Sequence, residues 1–286
     1  MNLKKELYLT CKDYTVSNKN FDLLYNSEFE MLETFPQPIG EELAGYYESS
    51  DYISHTDSKK SLIDKVYQLV KSYTLKNKLK LINSFKTEDK NLLDIGCGTG
   101  DFLFTCKNAG WNVIGVEPNK SANNLAKSKI SKDNNTVIFS KVNEIVNIKF
   151  DVITLWHVLE HVPNLDAYIL ELKSLLKPNG VLVVAVPNFR SYDAHYYKQF
   201  WAAFDVPRHL WHFSKNSIQQ LFSKQEMIVN KILPMKFDSF YVSLLSEKYK
   251  SSKSNFLKAF CIGFRSNCKA LRTKEYSSLI YIIKNT

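Results

Sequence analysis

The stretch Leu92–Phe102, LLDIGCGTGDF, decides the fold. An apolar run ends in Asp94, glycines alternate with small residues, and Asp101 opens the next apolar run. This predicts a buried strand that turns sharply into a helix. Gly96, Gly98 and Gly100 tolerate positive φ there, and the first N–H groups of the helix point at whatever sits in the turn. The order is G-x-G-x-G, not the G-x-G-x-x-G of a pyrophosphate site. A carboxylate on each side is a poor environment for phosphates and a good one for a cation. Glu117, at the end of the next run VIGVEP, follows Gly96 by 21 positions. A carboxylate placed so can accept both hydroxyls of a ribose. Together these residues imply a nucleoside ligand that carries positive charge in place of phosphate.

Outward from the loop the chain alternates. NLLDIG, NVIGVE, TVIFS, FDVITLW and VLVVAV are short apolar runs, with DFLFTCKNAG, SANNLAKSKI and LDAYILELKSLLKPNG as helix-length segments between them. The last shows Leu165, Ile169, Leu172 and Leu176 on one face before a Pro-Asn-Gly stop. Buried runs alternating with helices predict a parallel sheet covered on both faces. SKNSIQQLF reads as a helix capped by Ser214, and MIVNKILPM and SSLIYIIKN as late strands that pair antiparallel. Ahead of the loop, Leu62, Ile63, Val66, Tyr67, Val70 and Tyr73 recur at helical spacing, and the residues before about Ile53 read as irregular. The expected fold class is α/β: a doubly wound, seven-stranded, mostly parallel sheet with its last strand antiparallel and an N-terminal helical cap. The expected division is 1–88 for the irregular and helical cap and 89–286 for the ligand-binding domain. Within the latter, 238–275 is a helical insertion before the last strand.

With 286 residues, 44% of them hydrophobic and 23% charged, the chain can bury a core without staples. Cys11, Cys97, Cys106, Cys261 and Cys268 are scattered and form no C-x-x-C pair, against a disulfide framework or a structural zinc. The N-terminus lacks an apolar h-region, and VLVVAV is too short to span a bilayer. The expected compartment is the reducing cytoplasm, with no transmembrane segment. The formal charge is +9, and Leu245–Thr286 holds nine Lys/Arg against two acids, so +7 lies there. Such a segment can meet nucleic acid, anionic lipid or an acidic partner. Its basic residues are interleaved with FLKAFCIGF and SSLIYIIKN, so it reads as a solvated face of packed elements, and nucleic acid is not expected as a partner.

Asn91–Val186 resembles the class I S-adenosylmethionine-dependent methyltransferases. LLDIGCGTGDF is similar to their first motif, VIGVEPN to their second and FDVITLWHVLEHVPN to their fourth. The resemblance implies a Rossmann-like methyltransferase fold and S-adenosyl-L-methionine as cofactor. It places Asp94, Gly96, Cys97, Gly98 and Gly100 at the methionine part, Glu117 and Pro118 at the ribose, KVNEIV beside the adenine, and Trp156 against the cofactor. Nucleic-acid amino methyltransferases of this class carry an N/D-P-P-Y/F motif after the fourth run, and LWHVLEHVPN does not.

His157, Glu160 and His161 stand at i, i+3 and i+4, one face of a helix. The segment is similar to E-x-x-E-H of ubiquinone-biosynthesis O-methyltransferases, where these positions can hold a divalent ion. A histidine replaces the first acid here, and no metal is assigned. A metal site, a general base at His157 or His161, and a hydrogen-bonding anchor stay open. DVPRHLWHF resembles the D-x-P-R-H-x-x-H-F segment of small-molecule methyltransferases. An Asp205–Arg208 salt bridge is expected within it, and His157 and His209 are the catalytic candidates. The N-terminal region resembles relatives that open with a zinc-ribbon-like cysteine pair; only Cys11 is present, which implies a metal-free remnant capping the pocket. The expected reaction moves a methyl group to an oxygen or nitrogen of a small-molecule acceptor. The alternatives are an RNA or protein methyltransferase and a non-catalytic SAM-binding module. The oligomeric state is not legible.

Overall fold

The computed structural model describes residues 5–47, 62–130, 136–251 and 255–286, and the side chains of the helix that opens at Leu62 from residue 68 onward. The expected roles of Leu62, Ile63, Val66 and Tyr67 therefore lie outside the described side chains.

The N-terminal segment is not irregular. Strands β1 (Glu6–Lys12), β2 (Asn20–Asn26) and β3 (Met31–Phe35) form an antiparallel meander. Cys11, Phe21, Leu23 and Leu32 bury one face of the sheet, and Met31 of β3 is buried on the other, against the main core. The short helix α1 (Glu41–Gly45) follows, and α2 (Leu62–Ile82) leads into the main sheet.

The alternating units fold as β4 (Asn91–Ile95), α3 (Asp101–Asn108), β5 (Asn112–Val116), α4 (Lys120–Ile130), β6 (Ile138–Phe139), β7 (Phe150–Trp156), α5 (Leu165–Leu175) and β8 (Leu176–Pro187). Then come α6 (Tyr192–Tyr197), β9 (Trp211–His212), α7 (Lys215–Ser223), β10 (Met227–Pro234), α8 (Asp238–Ser251), α9 (Phe256–Thr273) and β11 (Ser278–Asn285). The sheet order is β10-β11-β8-β7-β4-β5-β6. The strands from β8 to β6 are parallel, while β11 runs antiparallel to both β8 and β10. The central strands are buried and largely apolar because helices cover both faces. Ile169, Leu172, Ile218 and Phe222 pack one face, and Ile82, Leu103, Ala126 and Ile130 the other. Ser214 caps α7 as expected, in a reciprocal box with Ser217.

Two differences from the sequence reading have local causes. Pro178-Asn179-Gly180 does not end an element but lies inside β8, as a bulge: Phe150 pairs with Leu176, and Val152 already with Val181. The His157–His161 segment is not a helical face but a bend with a single 3₁₀ turn at Leu159–His161, and His157 itself has φ of 59°.

The meander meets the main body through β9. Leu32 pairs with His212 and Glu33 with Trp211, and a bridge from Asn188 to Phe213 continues toward β8. A separate core of Cys11, Leu23, Leu32, Phe189, Tyr197 and Trp201 fills the space between them.

Candidate active site

β4 is central, with β5 on one side and β7 on the other, and ligands of open α/β sheets bind beyond the strand ends at such a switch in order. The three loop glycines have φ of 68°, 54° and 77°, and each has its own task. A Cβ on Gly96 would stand 2.5 Å from Val158 Cγ2, so this glycine lets the loop pass under the turn after β7. A Cβ on Gly100 would meet Ala126 and Ile130 at 3.0–3.2 Å, which lets α3 start against α4. A Cβ on Gly98 would meet nothing within 4 Å. The loop backbone is open on that side.

Glu117 is buried, and its carboxylate is oriented by two backbone donors: Gly98 N–H to Oε2 at 2.8 Å and Asn119 N–H to Oε1 at 2.9 Å. Each oxygen keeps a further lone pair for a hydroxyl. Burial pushes its pKa up, and the two amides work against that. Asp94 is buried as well and accepts from Thr154 Oγ1 at 2.6 Å. Burial pushes its carboxyl up to about 7, against the opposing Thr154 hydrogen bond and Lys78 charge. Asp101, the other flanking acid, is engaged elsewhere: Lys71 lies 2.7 Å away and Lys129 also pairs with it. The thiol of Cys97 is buried and faces Gly115 and Leu103, leaving only its backbone toward the loop; Pro118 is exposed at the end of the second carboxylate turn.

Trp156 ends β7 against Phe102, ring centroids 5.7 Å apart. Lys78 of α2 places its ammonium 4.1 Å from the Trp156 ring centroid, a cation–π distance. Burial lowers the Lys78 pKa to about 8, with Asp94 and Asp238 opposing. Lys78 escaped the sequence reading although a signal exists: it follows Leu75 by three positions and precedes Ile82 by four, a cation on the apolar side of α2. Lys78, Trp156 and Asp238 line a cavity of about 360 Å³ whose other walls include Tyr73, Met235 and Phe237.

Beyond Trp156 the histidines gather. His157 Nε2 lies 3.1 Å from Asp238 Oδ2, and its Nδ1 3.4 Å from Glu160 Oε1. Burial alone would lower its pKa, but the two carboxylates outweigh burial and hold it up at about 10. At neutral pH His157 is therefore a donor. Glu160 is fully buried, and neither carboxylate oxygen receives a well-aligned hydrogen bond. Burial works upward on its pKa, and neighbouring His157 and His209 hold it down at about 2. His161 Nδ1 lies 3.0 Å from the Arg208 carbonyl, and His209 Nδ1 2.9 Å from the Ala203 carbonyl. A carbonyl only accepts, so each Nδ1 donates there; the Tyr47 hydroxyl also lies 2.9 Å from His161 Nδ1. One donor atom each from Glu160, His161 and His209 falls within 4.8 Å of the others. Two imidazoles and a carboxylate in such proximity form a donor set of the kind that holds a divalent ion. The sequence reading assigned no metal here, because a histidine stands at the first acid of E-x-x-E-H; that residue, His157, is not in the set, and His209 is.

The expected Asp205–Arg208 pair is present at 2.6 Å. His209 is buried behind Glu160 and does not line the cavity. Its loop is pinned from two sides: Leu210 N–H donates to Glu160 O at 2.8 Å, and Thr34 of β3 donates to His209 O at 2.6 Å. Thr34 Oγ1 also meets His212 Nε2 at 3.0 Å.

A glycine turn with one side open thus lies between two buried carboxylates, Glu117 and Asp94, at the ends of parallel strands. A family model described as a methyltransferase domain matches residues 70–226, more than half of the chain, and the chain belongs to that family. Among curated proteins it is similar to the ubiquinone biosynthesis O-methyltransferase of Rhodopseudomonas palustris strain TIE-1, 34% identical over 106 residues, 35% of this chain and 41% of that protein. The counterpart in Actinobacillus pleuropneumoniae is 33% identical over 108 residues, 35% and 46% of the two chains. The chain thus spans less than half the length of these relatives. Among solved structures it resembles the magnesium protoporphyrin IX methyltransferase of Synechocystis with bound SAH, TM-score 0.56 at 15% identity over 84% of this chain and 97% of that one. The cyclopropane synthase MmaA2 of Mycobacterium tuberculosis gives 0.54 at 15% identity over 87% and 99%. At such identities the likeness is one of fold: an α/β Rossmann-like methyltransferase fold with a mixed sheet.

Proposed function

We propose that this protein transfers the methyl group of S-adenosyl-L-methionine to an oxygen or nitrogen of a small molecule, as in the ubiquinone-biosynthesis O-methyltransferases it resembles. The observation that carries this is the Gly98–Glu117 hydrogen bond beneath an open glycine turn, with ionisable Asp94 beside it. Glu117 takes the ribose hydroxyls, Gly96 and Gly98 admit the methionine part, and Asp94 faces its positive charge. Trp156 offers a π-face to the sulfonium. The cavity beside Lys78 and Asp238 holds the acceptor, and its apolar walls exclude water while nucleophile, methyl and sulfur align.

His157 stands behind the Asp238 wall with Nε2 on Asp238 and Nδ1 toward Glu160, so its role is to position the Asp238 carboxylate at the cavity. His209, the other catalytic candidate, is separated from the cavity by Glu160 and His157, and its role is to position Glu160. If Glu160, His161 and His209 hold a divalent ion, that ion supplies Lewis-acid polarisation and keeps the Glu160 charge compensated.

Thermal-shift titration with SAM, SAH and NAD, on the native protein and on Glu117→Ala, tests the reading. The two sulfur nucleosides are expected to raise the melting point by several degrees near saturation, about 2.7 kcal/mol at a hundredfold excess over Kd, and to leave the variant unmoved. A shift by NAD alone overturns it.

A further inference from the structure

α9 has three sides, and one of them is the wrong way out for a helix that serves only its own fold. At about 100° per residue, Phe256, Phe260, Leu271, Phe264 and Leu257 fall within one arc of about 100°. These five side chains are between 54% and 83% exposed. Exposed Cys261 and Cys268 widen the same arc. Arg272, Arg265, Lys258 and Lys269 occupy the next arc, with Lys258 paired to Glu247 of α8 at 3.1 Å, and the helix itself contains no acid. The third side is buried and built mainly of small residues, Ala259, Gly263, Ser266 and Ala270, with Ile262. Small residues let α9 lie close on α8; a Cβ on Gly263 would come within 2.9 Å of Ser239 O and Phe240 Cδ1. The large apolar groups are thereby left outside.

We propose that this exposed side of α9 docks the protein on an anionic lipid surface, with the apolar arc inserted at the headgroup boundary and the basic arc against the headgroups. An apolar face flanked by Lys and Arg, in a helix lying in the membrane plane, is the arrangement such surfaces bind. The charge agrees, because +7 of the formal +9 lies in Leu245–Thr286. Among the described residues no helix is long and apolar enough to cross a membrane, so the contact is superficial. Arg265 and Lys269 extend along the Tyr192 ring, at 5.3 and 4.3 Å, which supports their stems while the charged ends reach outward. A second copy is a poorer occupant: pairing two such helices brings two acid-free basic arcs together. Nucleic acid is poorer still, since phosphate contacts give five large apolar groups nothing to bury against.

The rings Phe264, Phe260 and Phe240 stack in series, with centroids 6.4 and 5.3 Å apart. Phe237, one turn before Phe240, is partly exposed and lines the cavity beside Trp156. The docking side thus runs toward the cavity mouth, so an acceptor with an apolar body enters from the lipid. That last step rests on the methyl-transfer reading; docking does not.

Cosedimentation with vesicles tests docking. The full chain is expected to pellet with vesicles of phosphatidylcholine mixed with phosphatidylglycerol and to stay largely in solution with phosphatidylcholine alone. Phe260→Ser with Phe264→Ser, and separately Arg265→Gln with Arg272→Gln, should each weaken partition roughly tenfold or more. Circular dichroism and melting point should stay near native, since these side chains are on the surface. Glu117→Ala is expected to pellet as the native chain does, so loss of the cofactor site and loss of docking read separately. No partition onto the anionic vesicles, or partition undiminished in both double variants, overturns the proposal. So does sedimentation equilibrium showing a dimer that the phenylalanine variant splits, which would make the arc a subunit contact.

Discussion

Asp94 can carry its charge only against burial, and this is expected to make the proposed cofactor site pH-sensitive. Its carboxyl is raised to about 7, from roughly 3.9 in an unfolded chain. Between these values the folded state binds the extra proton, so stability falls as pH rises from the unfolded value through the folded one. A cationic ligand reverses the preference, because it favours the ionised form. SAM affinity is therefore expected to weaken as pH falls below about 7, approaching roughly tenfold per pH unit well below it. Isothermal titration on both sides of neutrality checks this. In Asp94→Asn the pH slope should vanish, with weak binding throughout; a slope that survives the substitution assigns the titration to another group.

At the scale of elements, the glycine loop separates binding from folding. Gly98→Ala puts a methyl group into open space, so its stability cost is the left-handed backbone, about 1–2 kcal/mol. Gly100→Ala has the same backbone cost and in addition drives its Cβ against Ala126 and Ile130 at 3.0–3.2 Å. We expect Gly98→Ala to fold with a modest loss of melting temperature and bind SAM at least roughly tenfold more weakly, and Gly100→Ala to show the larger stability loss. Equal stabilities would mean that α3 and α4 are not packed through Gly100. This loop was legible in the sequence because spacing alone sets it: a strand, three glycines, an acid at each end. The parallel strands were legible for a similar reason, as buried runs advertise themselves. The meander was not. β1 and β2 bury only alternate residues among exposed charges, and their packing partners lie some 170 positions downstream. Nor could spacing show that His157 lies in a bend at positive φ, since i, i+3, i+4 describes a helix face only if the helix forms.

At the scale of the molecule, the candidate site is assembled from pieces that share no local sequence. The turn after β7 brings Glu160 and His161, the loop before β9 brings His209, and the start of α8 brings Asp238. Thr34, on the far meander, holds the middle piece. Its hydroxyl donates to His209 O and meets His212 Nε2, and its N–H donates to Leu210 O at 3.0 Å. Burial pushes His212 well below its usual range, so the ring is neutral and Nε2 needs a fixed partner. Thr34→Val keeps the shape and the backbone bond but leaves the His209 carbonyl without its hydroxyl donor, a cost of about 1–3 kcal/mol for a buried acceptor. That cost falls on one loop, because β4, β5 and the glycine turn make none of these contacts. Amide exchange across residues 205–212 should rise roughly tenfold or more, while exchange in β4 and β5 and the affinity for SAM stay near native. Uniform loosening of both regions would show that the meander supports the whole sheet; unchanged exchange in the loop would show that β9 pairing alone holds it. Selective loosening is the outcome that follows from the geometry, and it makes the N-terminal sheet the support that keeps His209 against Glu160.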